Sequence, residues 1–151
     1  METLPFGAVY YWPELTRIFD KARHRVPRTL YICWGAQAAL HHFHGVPKHA
    51  LARKAFGVFR HDRVAESALL DGLGDGFPVP VSRHTEVRAA DLPAGRGLRT
   101  LAGSAQSGLC LVQDAPGRAL YMFNHLEYDT RALADEYWRD RADRTGLTLH
   151  L

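Results

Sequence analysis

Thr29-Leu30-Tyr31-Ile32-Cys33-Trp34-Gly35-Ala36-Gln37-Ala38-Ala39-Leu40 joins an apolar run to a helix-forming run at a cysteine. The stretch up to Ile32 has strand character, and the alanine-rich stretch after Cys33 reads as the opening turns of a helix. A thiol at such a strand-to-helix elbow faces the unpaired N–H groups and positive dipole end of the helix, which favour thiolate over thiol. Gly35 keeps the turn uncrowded and lets a substrate approach closely. Taken alone, Cys33 also fits a small buried hydrophobe at the end of a core strand.

A second apolar run, residues 119–123, ends in Asn124-His125-Leu126-Glu127-Tyr128-Asp129. His125 and Glu127 are two apart, so in extended or loop geometry both side chains lie on one side of the chain. Singly they read as a loop histidine and a solvated carboxylate. Opposite a cysteine elbow they complete the nucleophile, base and orienting acid of covalent catalysis.

Outward from these two blocks the chain alternates helix and strand, which predicts an α/β fold. Pro13 suits the first turn of a helix running towards His24, with Leu15, Ile18 and Phe19 on one apolar face, and Val26-Pro27-Arg28 breaks it. The helix after the elbow is expected to stop near His44-Gly45, ahead of Pro47. Gly57-Val58-Phe59 reads as a short strand and residues 66–73 as a short helix. The prolines make Val79-Pro80-Val81 an edge or loop segment. Residues 98–101, 108–113 and 119–123 look like a meander, its second pair joined by the turn Asp114-Ala115-Pro116-Gly117. A final amphipathic helix is expected over 130–144, carrying Leu133, Tyr137 and Trp138, and Leu92 to Gly97 reads as a surface loop.

The chain has 151 residues, 46% hydrophobic and 23% charged, which reads as one soluble globular domain over 1–151 with enough apolar material for a core. Its cysteines, Cys33 and Cys110, make no disulfide framework and suit a reducing cytoplasm, Cys110 reading as a buried strand residue. No apolar stretch approaches bilayer-spanning length, and the N-terminus lacks the order of a signal peptide, so no membrane partner is expected. The formal net charge is only +3, with arginines scattered among acids, so nucleic-acid binding is not implied. Neighbouring residues among His41, His42 and His44 point apart on a helix and do not form the i, i+4 pair of a zinc site; no metal is expected. Leu73-Gly74-Asp75-Gly76 lacks the strand-then-helix context of a phosphate loop.

Several ordered blocks resemble the homoserine O-acyltransferases of methionine biosynthesis. They are Tyr11-Trp12-Pro13-Glu14-Leu15, the Cys33 block with Gly45-Val46-Pro47-Lys48, Lys54-Ala55-Phe56-Gly57-Val58-Phe59, Ser82-Arg83-His84-Thr85-Glu86-Val87, the His125 block and Leu133-Ala134-Asp135-Glu136-Tyr137-Trp138-Arg139-Asp140. The resemblance covers about residues 2–144 and differs from the family's usual pattern at His84, Asn124 and Leu126. It implies the class I glutamine amidotransferase-like (flavodoxin-like) fold, a sheet flanked by helices. It matches the central and C-terminal part of the family, so the sheet is expected to be incomplete on its N-terminal side, with part of the oxyanion hole missing.

By that resemblance Cys33 is the acyl-accepting nucleophile, His125 the general base and Glu127 its partner. Lys54, Ser82 and Arg139 fall on the substrate-contacting positions, and the Arg139 fork suits an amino-acid carboxylate. Trp34 is the oxyanion candidate. Glu2 falls on the acyl-specificity position: a carboxylate there repels a succinyl carboxylate, so acetyl is expected to be favoured. The implied reaction is transfer from acetyl-CoA or succinyl-CoA, as co-substrate, to the homoserine hydroxyl, with no bound cofactor. Two alternatives are a glutaminase of the same fold, which Trp34 after the nucleophile argues against, and a non-catalytic family remnant acting in subunit association. An uncovered sheet edge would seek a partner, so a homo-oligomer is expected.

Overall fold

A computed structural model describes residues 2–115 and 117–142. Three helices, α1 (Trp12–Arg25), α2 (Trp34–His44) and α3 (Ala132–Ala142), accompany six strands: β1 (Thr29–Ile32), β2 (His49–Arg63), β3 (Phe77–Glu86), β4 (Leu98–Ser104), β5 (Gly108–Asp114) and β6 (Ala119–Met122). The strands form one sheet in the order β1-β6-β5-β4-β2-β3. β1 runs parallel to β6, pairing Ile32 with Met122, and every other neighbouring pair is antiparallel.

The pleat sends alternate residues to opposite faces. Tyr31, Val112 and Tyr121 face a core shared with Ala36, Leu40 and Phe19 of the helices. Leu111 and Met122 face a second cluster with Leu70, Phe77 and Leu101. Tyr31 and Tyr121, register partners across the parallel pair, stack at 5.4 Å. Leu40 is fully buried, which contributes about 2 kcal/mol.

Gly45 ends α2 in the left-handed conformation (φ 70°), as its place after His44 predicts. The meander β4-β5-β6 is present, and the Asp114 carboxylate accepts from the Ala119 N–H at 2.7 Å to close its second turn; Pro116 lies outside the described residues. Cys110 is 1% exposed on β5.

Other elements differ from the sequence expectation. β2 runs for 15 residues rather than three, because its pairing with β3 extends from His49 opposite Glu86 to His61 opposite Phe77, around a bulge at residues 51–54, although the stretch before Ala55 has no apolar alternation. Val79-Pro80-Val81 lies inside a ten-residue strand, which accepts prolines because β3 is the sheet's edge. Of 66–73 only Ala68–Leu70 is helical, a single 3-10 turn capped by Ser67. In α1 Phe19 is buried whereas Ile18 is 60% exposed, so the apolar face is narrower than the spacing implies. α3 begins where Asp129 accepts from the Arg131 and Ala132 N–H groups. Its buried face is acidic, with Asp140 inside and Trp138 61% exposed. The expected extension of α3 to Arg144 lies outside the described residues.

Candidate active site

Cys33 stands where β1 hands over to α2, with φ 51° and ψ −121°, and it is the positive-φ non-glycine residue among those described. A side chain held in that region costs of order 1–3 kcal/mol and persists only when its surroundings enforce it. Here the Cys33 N–H donates to the Met122 carbonyl at 2.7 Å, and the Cys33 carbonyl accepts from Ala36 and Gln37 in the first turn of α2. Strand pairing and helix start thus pin the residue from both sides. A Cβ placed on Gly35 would meet nothing within 4 Å, so the space beside the elbow is open.

The free protein holds a thiol there, not a thiolate. Burial, followed by the Glu2 carboxylate, pushes the Cys33 pKa up to about 11, against the Trp34 backbone N–H and the Arg83 guanidinium, which pull it down. The helix terminus therefore acts with the expected sign and is outweighed by desolvation. The Trp34 backbone N–H is hydrogen-bonded at the sulfur, where it favours the thiolate form. The thiol itself donates to the Ser82 carbonyl at 3.9 Å.

His125 enters from the end of β6, next to β1. Its N–H donates to the Pro80 carbonyl at 2.9 Å, which ties the loop to β3. Nδ1 lies 2.7 Å from Glu127 Oε1, an arrangement that assigns the proton to Nδ1 and leaves Nε2 as the basic atom. Asn124, fully buried, donates through Nδ2 to His61 Nε2 at 2.9 Å. Ser107 Oγ lies 3.0 Å from the same nitrogen, and His61 Nδ1 lies 2.9 Å from the Phe59 carbonyl. Burial lowers the His61 pKa and keeps this ring neutral. The residue before His125 is thus anchored in the core.

Lys54, Ser82 and Arg139 come together although 85 residues separate the first from the last. They meet on one carboxylate: Glu136 Oε1 accepts from Lys54 Nζ at 2.9 Å, Ser82 Oγ at 2.6 Å and Arg139 Nη2 at 3.1 Å. Lys54 also pairs with Asp140, which Arg139 holds at 2.7 Å. Lys54 reaches α3 because β2 bulges between Ala50 and Ala55, where residues 51–54 pass opposite His84 of β3. Against burial, which acts the other way, hydrogen bonds from Ser82 and Lys54 hold the Glu136 carboxyl below its ordinary range, and those from Lys54 and Arg139 do so for Asp140. Lys54, Ser82, Glu136, Arg139 and Asp140, with Glu2 and His84, line a pocket of about 240 Å³. Ser82 joins the two halves, its carbonyl on the Cys33 side and its hydroxyl on the pocket side.

Glu136 is the residue that sequence reasoning left without a role. Its spacing of three and four from Arg139 and Asp140 puts all three on one helix face, a signal present in the sequence. Tyr128 belongs to the His125 block, and its hydroxyl donates to Glu136 Oε2 at 3.0 Å. Among the described residues no group of three or more His, Cys, Asp or Glu side chains could hold a metal ion, and no helix is long and apolar enough to cross a membrane.

The family model described as homoserine O-succinyltransferase matches residues 1–150. A protein of Rhizorhabdus wittichii named homoserine O-acetyltransferase is 58% identical over 141 residues, 93% of this chain and 44% of the relative. One of the same name from Novosphingobium aromaticivorans is 59% identical, covering 93% of this chain and 47% of the relative. The chain thus spans under half the length of these curated relatives. Among solved structures, a glutamine amidotransferase from Thermotoga maritima superposes with a TM-score of 0.71 at 17% identity, over 89% of this chain and 57% of that one. One from Methylobacillus flagellatus gives 0.66 at 15% identity, over 88% and 51%. At such identities the likeness shows the fold alone, a class I glutamine amidotransferase-like α/β sheet.

Proposed function

The chain belongs to the homoserine O-succinyltransferase family, and from that premise we propose that it carries the catalytic part of a homoserine O-acyltransferase that works through a Cys33 acyl-enzyme, acetyl-CoA being the favoured donor. The observation that carries the reading is the strained Cys33 elbow, with the Trp34 N–H at its sulfur, at the end of the strand paired with the one that delivers His125 and Glu127.

In the first half-reaction His125 Nε2 takes the thiol proton as the sulfur attacks the thioester carbonyl. The thiolate of CoA leaves and receives that proton from His125. A base is needed because the resting thiol is neutral at pH 7. In the second, His125 takes the homoserine hydroxyl proton, the oxygen attacks the Cys33 thioester, and the sulfur leaves and recovers its proton. Glu127 holds the imidazole and stabilises its charged form. The Trp34 N–H supplies a donor to the developing oxyanion.

The pocket on Lys54, Ser82, Glu136 and Arg139 suits the amino-acid end of homoserine. Arg139 is 63% exposed at its rim, with fork donors to offer a carboxylate; an acid such as Glu136 suits an ammonium group. Glu2, whose carboxylate disfavours further negative charge at Cys33, supports acetyl over succinyl. We further propose a cytoplasmic setting in methionine biosynthesis, in keeping with two free cysteines, and a homo-oligomer. An apolar hollow of about 390 Å³ supports the latter: it is lined by Ile32, Leu120 and Met122, with half-exposed Leu30, Leu69 and Leu126 around it.

Intact-mass analysis after incubation with acetyl-CoA tests the proposal. The parent gains one acetyl group and Cys33→Ala gains none; equal labelling of the two removes Cys33 as nucleophile. Glutamine hydrolysis without acyl labelling would favour a glutaminase, and neither activity a non-catalytic remnant.

A further inference from the structure

Tyr128 touches both halves of the candidate site. Its ring stacks on the His125 imidazole with centroids 4.3 Å apart and planes 23° from parallel. Its N–H donates to the His125 carbonyl at 3.3 Å, closing the loop into a tight turn that keeps the two rings together. Its hydroxyl donates to Glu136 Oε2 at 3.0 Å. The other oxygen of that carboxylate is the one that gathers Lys54, Ser82 and Arg139.

The His125 ring is therefore held in two independent ways. Glu127 fixes its edge through Nδ1 and leaves it free to swing about the Nδ1···Oε1 line. A stacked ring removes that freedom, because rotation of the imidazole drives it into the tyrosine face. The tyrosine cannot shift without giving up its bond to Glu136, and an acceptor that displaces Lys54 or Ser82 from Glu136 redistributes the charge Tyr128 feels. Burial and the Glu136 carboxylate both raise the Tyr128 pKa, so the hydroxyl stays protonated and remains a donor throughout.

We propose that Tyr128 is a positioning residue that couples the orientation of His125 to the Lys54–Ser82–Glu136–Arg139 pocket, so that acceptor binding at the pocket is transmitted to the base. This rests on the acyl-transfer reading above. Glu127 acts in both half-reactions alike. The Tyr128 hydroxyl matters chiefly in the second, when the pocket is filled, and its ring matters in both.

Two variants separate these contributions. Tyr128→Phe keeps the stacked ring and loses the bond to Glu136: acetylation of Cys33, followed by intact mass without acceptor, stays within about twofold of the parent, while the KM for homoserine rises about tenfold, the scale of a lost hydrogen bond to a charged group. Tyr128→Leu loses the ring as well and slows acetylation about tenfold. NMR of the His125 ring supplies a readout independent of turnover: addition of homoserine shifts the ring resonances in the parent but not in Tyr128→Phe. An unchanged homoserine KM in Tyr128→Phe, acetylation of Tyr128→Leu at the parental rate, or homoserine-induced shifts of the His125 resonances that are the same in parent and Tyr128→Phe would each overturn the coupling. A parent that shows the NMR coupling yet takes no acetyl group from acetyl-CoA would instead overturn the acyl-transfer reading and leave the coupling standing.

Discussion

Thr85 donates twice to one oxygen of Glu2, through its backbone N–H at 2.8 Å and its hydroxyl at 2.9 Å, and the His84 N–H adds a third bond to the same oxygen at 2.7 Å. An internal carboxylate thus occupies a ready-made anion site on β3 beside the pocket. Glu2→Gly vacates those donors and removes the repulsion, so the ratio of succinyl-CoA to acetyl-CoA use is expected to rise at least about tenfold, the scale of one charged hydrogen bond. Competitive labelling of Cys33 with both thioesters, read by intact mass, checks this. An unchanged ratio removes Glu2 as the specificity residue.

The thiol's own titration gives a second test. With a pKa of about 11 raised by burial and by Glu2, Cys33 is protonated at neutral pH, and its alkylation by iodoacetamide should climb about tenfold per pH unit between pH 7 and 10. In Glu2→Gly the same curve moves to lower pH, because the second-largest raising influence is gone. A plateau below pH 8 in the parent would show a thiolate already formed.

Removal of the base should reach both half-reactions. His125→Ala is expected to slow Cys33 acetylation about a hundredfold to ten-thousandfold. Glu127→Gln should cost less, since the carboxylate orients and stabilises without taking the proton itself. Stopped-flow detection of released CoA measures both; equal losses in the two variants would mean that Glu127 does more than orient.

Lys54 is 7% exposed at its side chain and faces Glu136 and Asp140, at 13% and 12%. Lys54→Met leaves two largely buried carboxylates with the Arg139 guanidinium as their remaining cation, and a loss of about 2 kcal/mol in urea unfolding is expected, the scale of a lost hydrogen bond between charged groups. The pH dependence has a defined sign. Both folded carboxyl pKa values lie below their ordinary ones, so their contribution is fully present above the unfolded values of about 4 and is lost as pH falls through the lower folded values. Urea midpoints between pH 6 and 3 should drop in the parent and drop less in Glu136→Gln.

The apolar hollow around Ile32, Leu120 and Met122 predicts self-association. Light scattering is expected to give a mass above that of one 17.0 kDa chain, and Leu30→Lys at the outer strand to lower it. A mass equal to that of one chain would refute this.

Local rules sufficed for the order of elements, the elbow, the helix stop at Gly45 and the β4-β5-β6 meander, because each depends on a residue's periodicity or φ preference within a few positions. The same holds for the placement of Cys33 and His125 at strand ends. Tertiary structure alone decided that β2 runs from His49, that its bulge carries Lys54 to α3, and that Ser82 and Arg139 meet on Glu136. It also decided the state of the Cys33 thiol: the helix terminus that favours thiolate is visible in the sequence, whereas the desolvation that outweighs it depends on which chains close over the sulfur. Backbone conformation is a local property, but the dielectric around a side chain and the carboxylates it meets are set by segments dozens of residues away, and no spacing rule reports them.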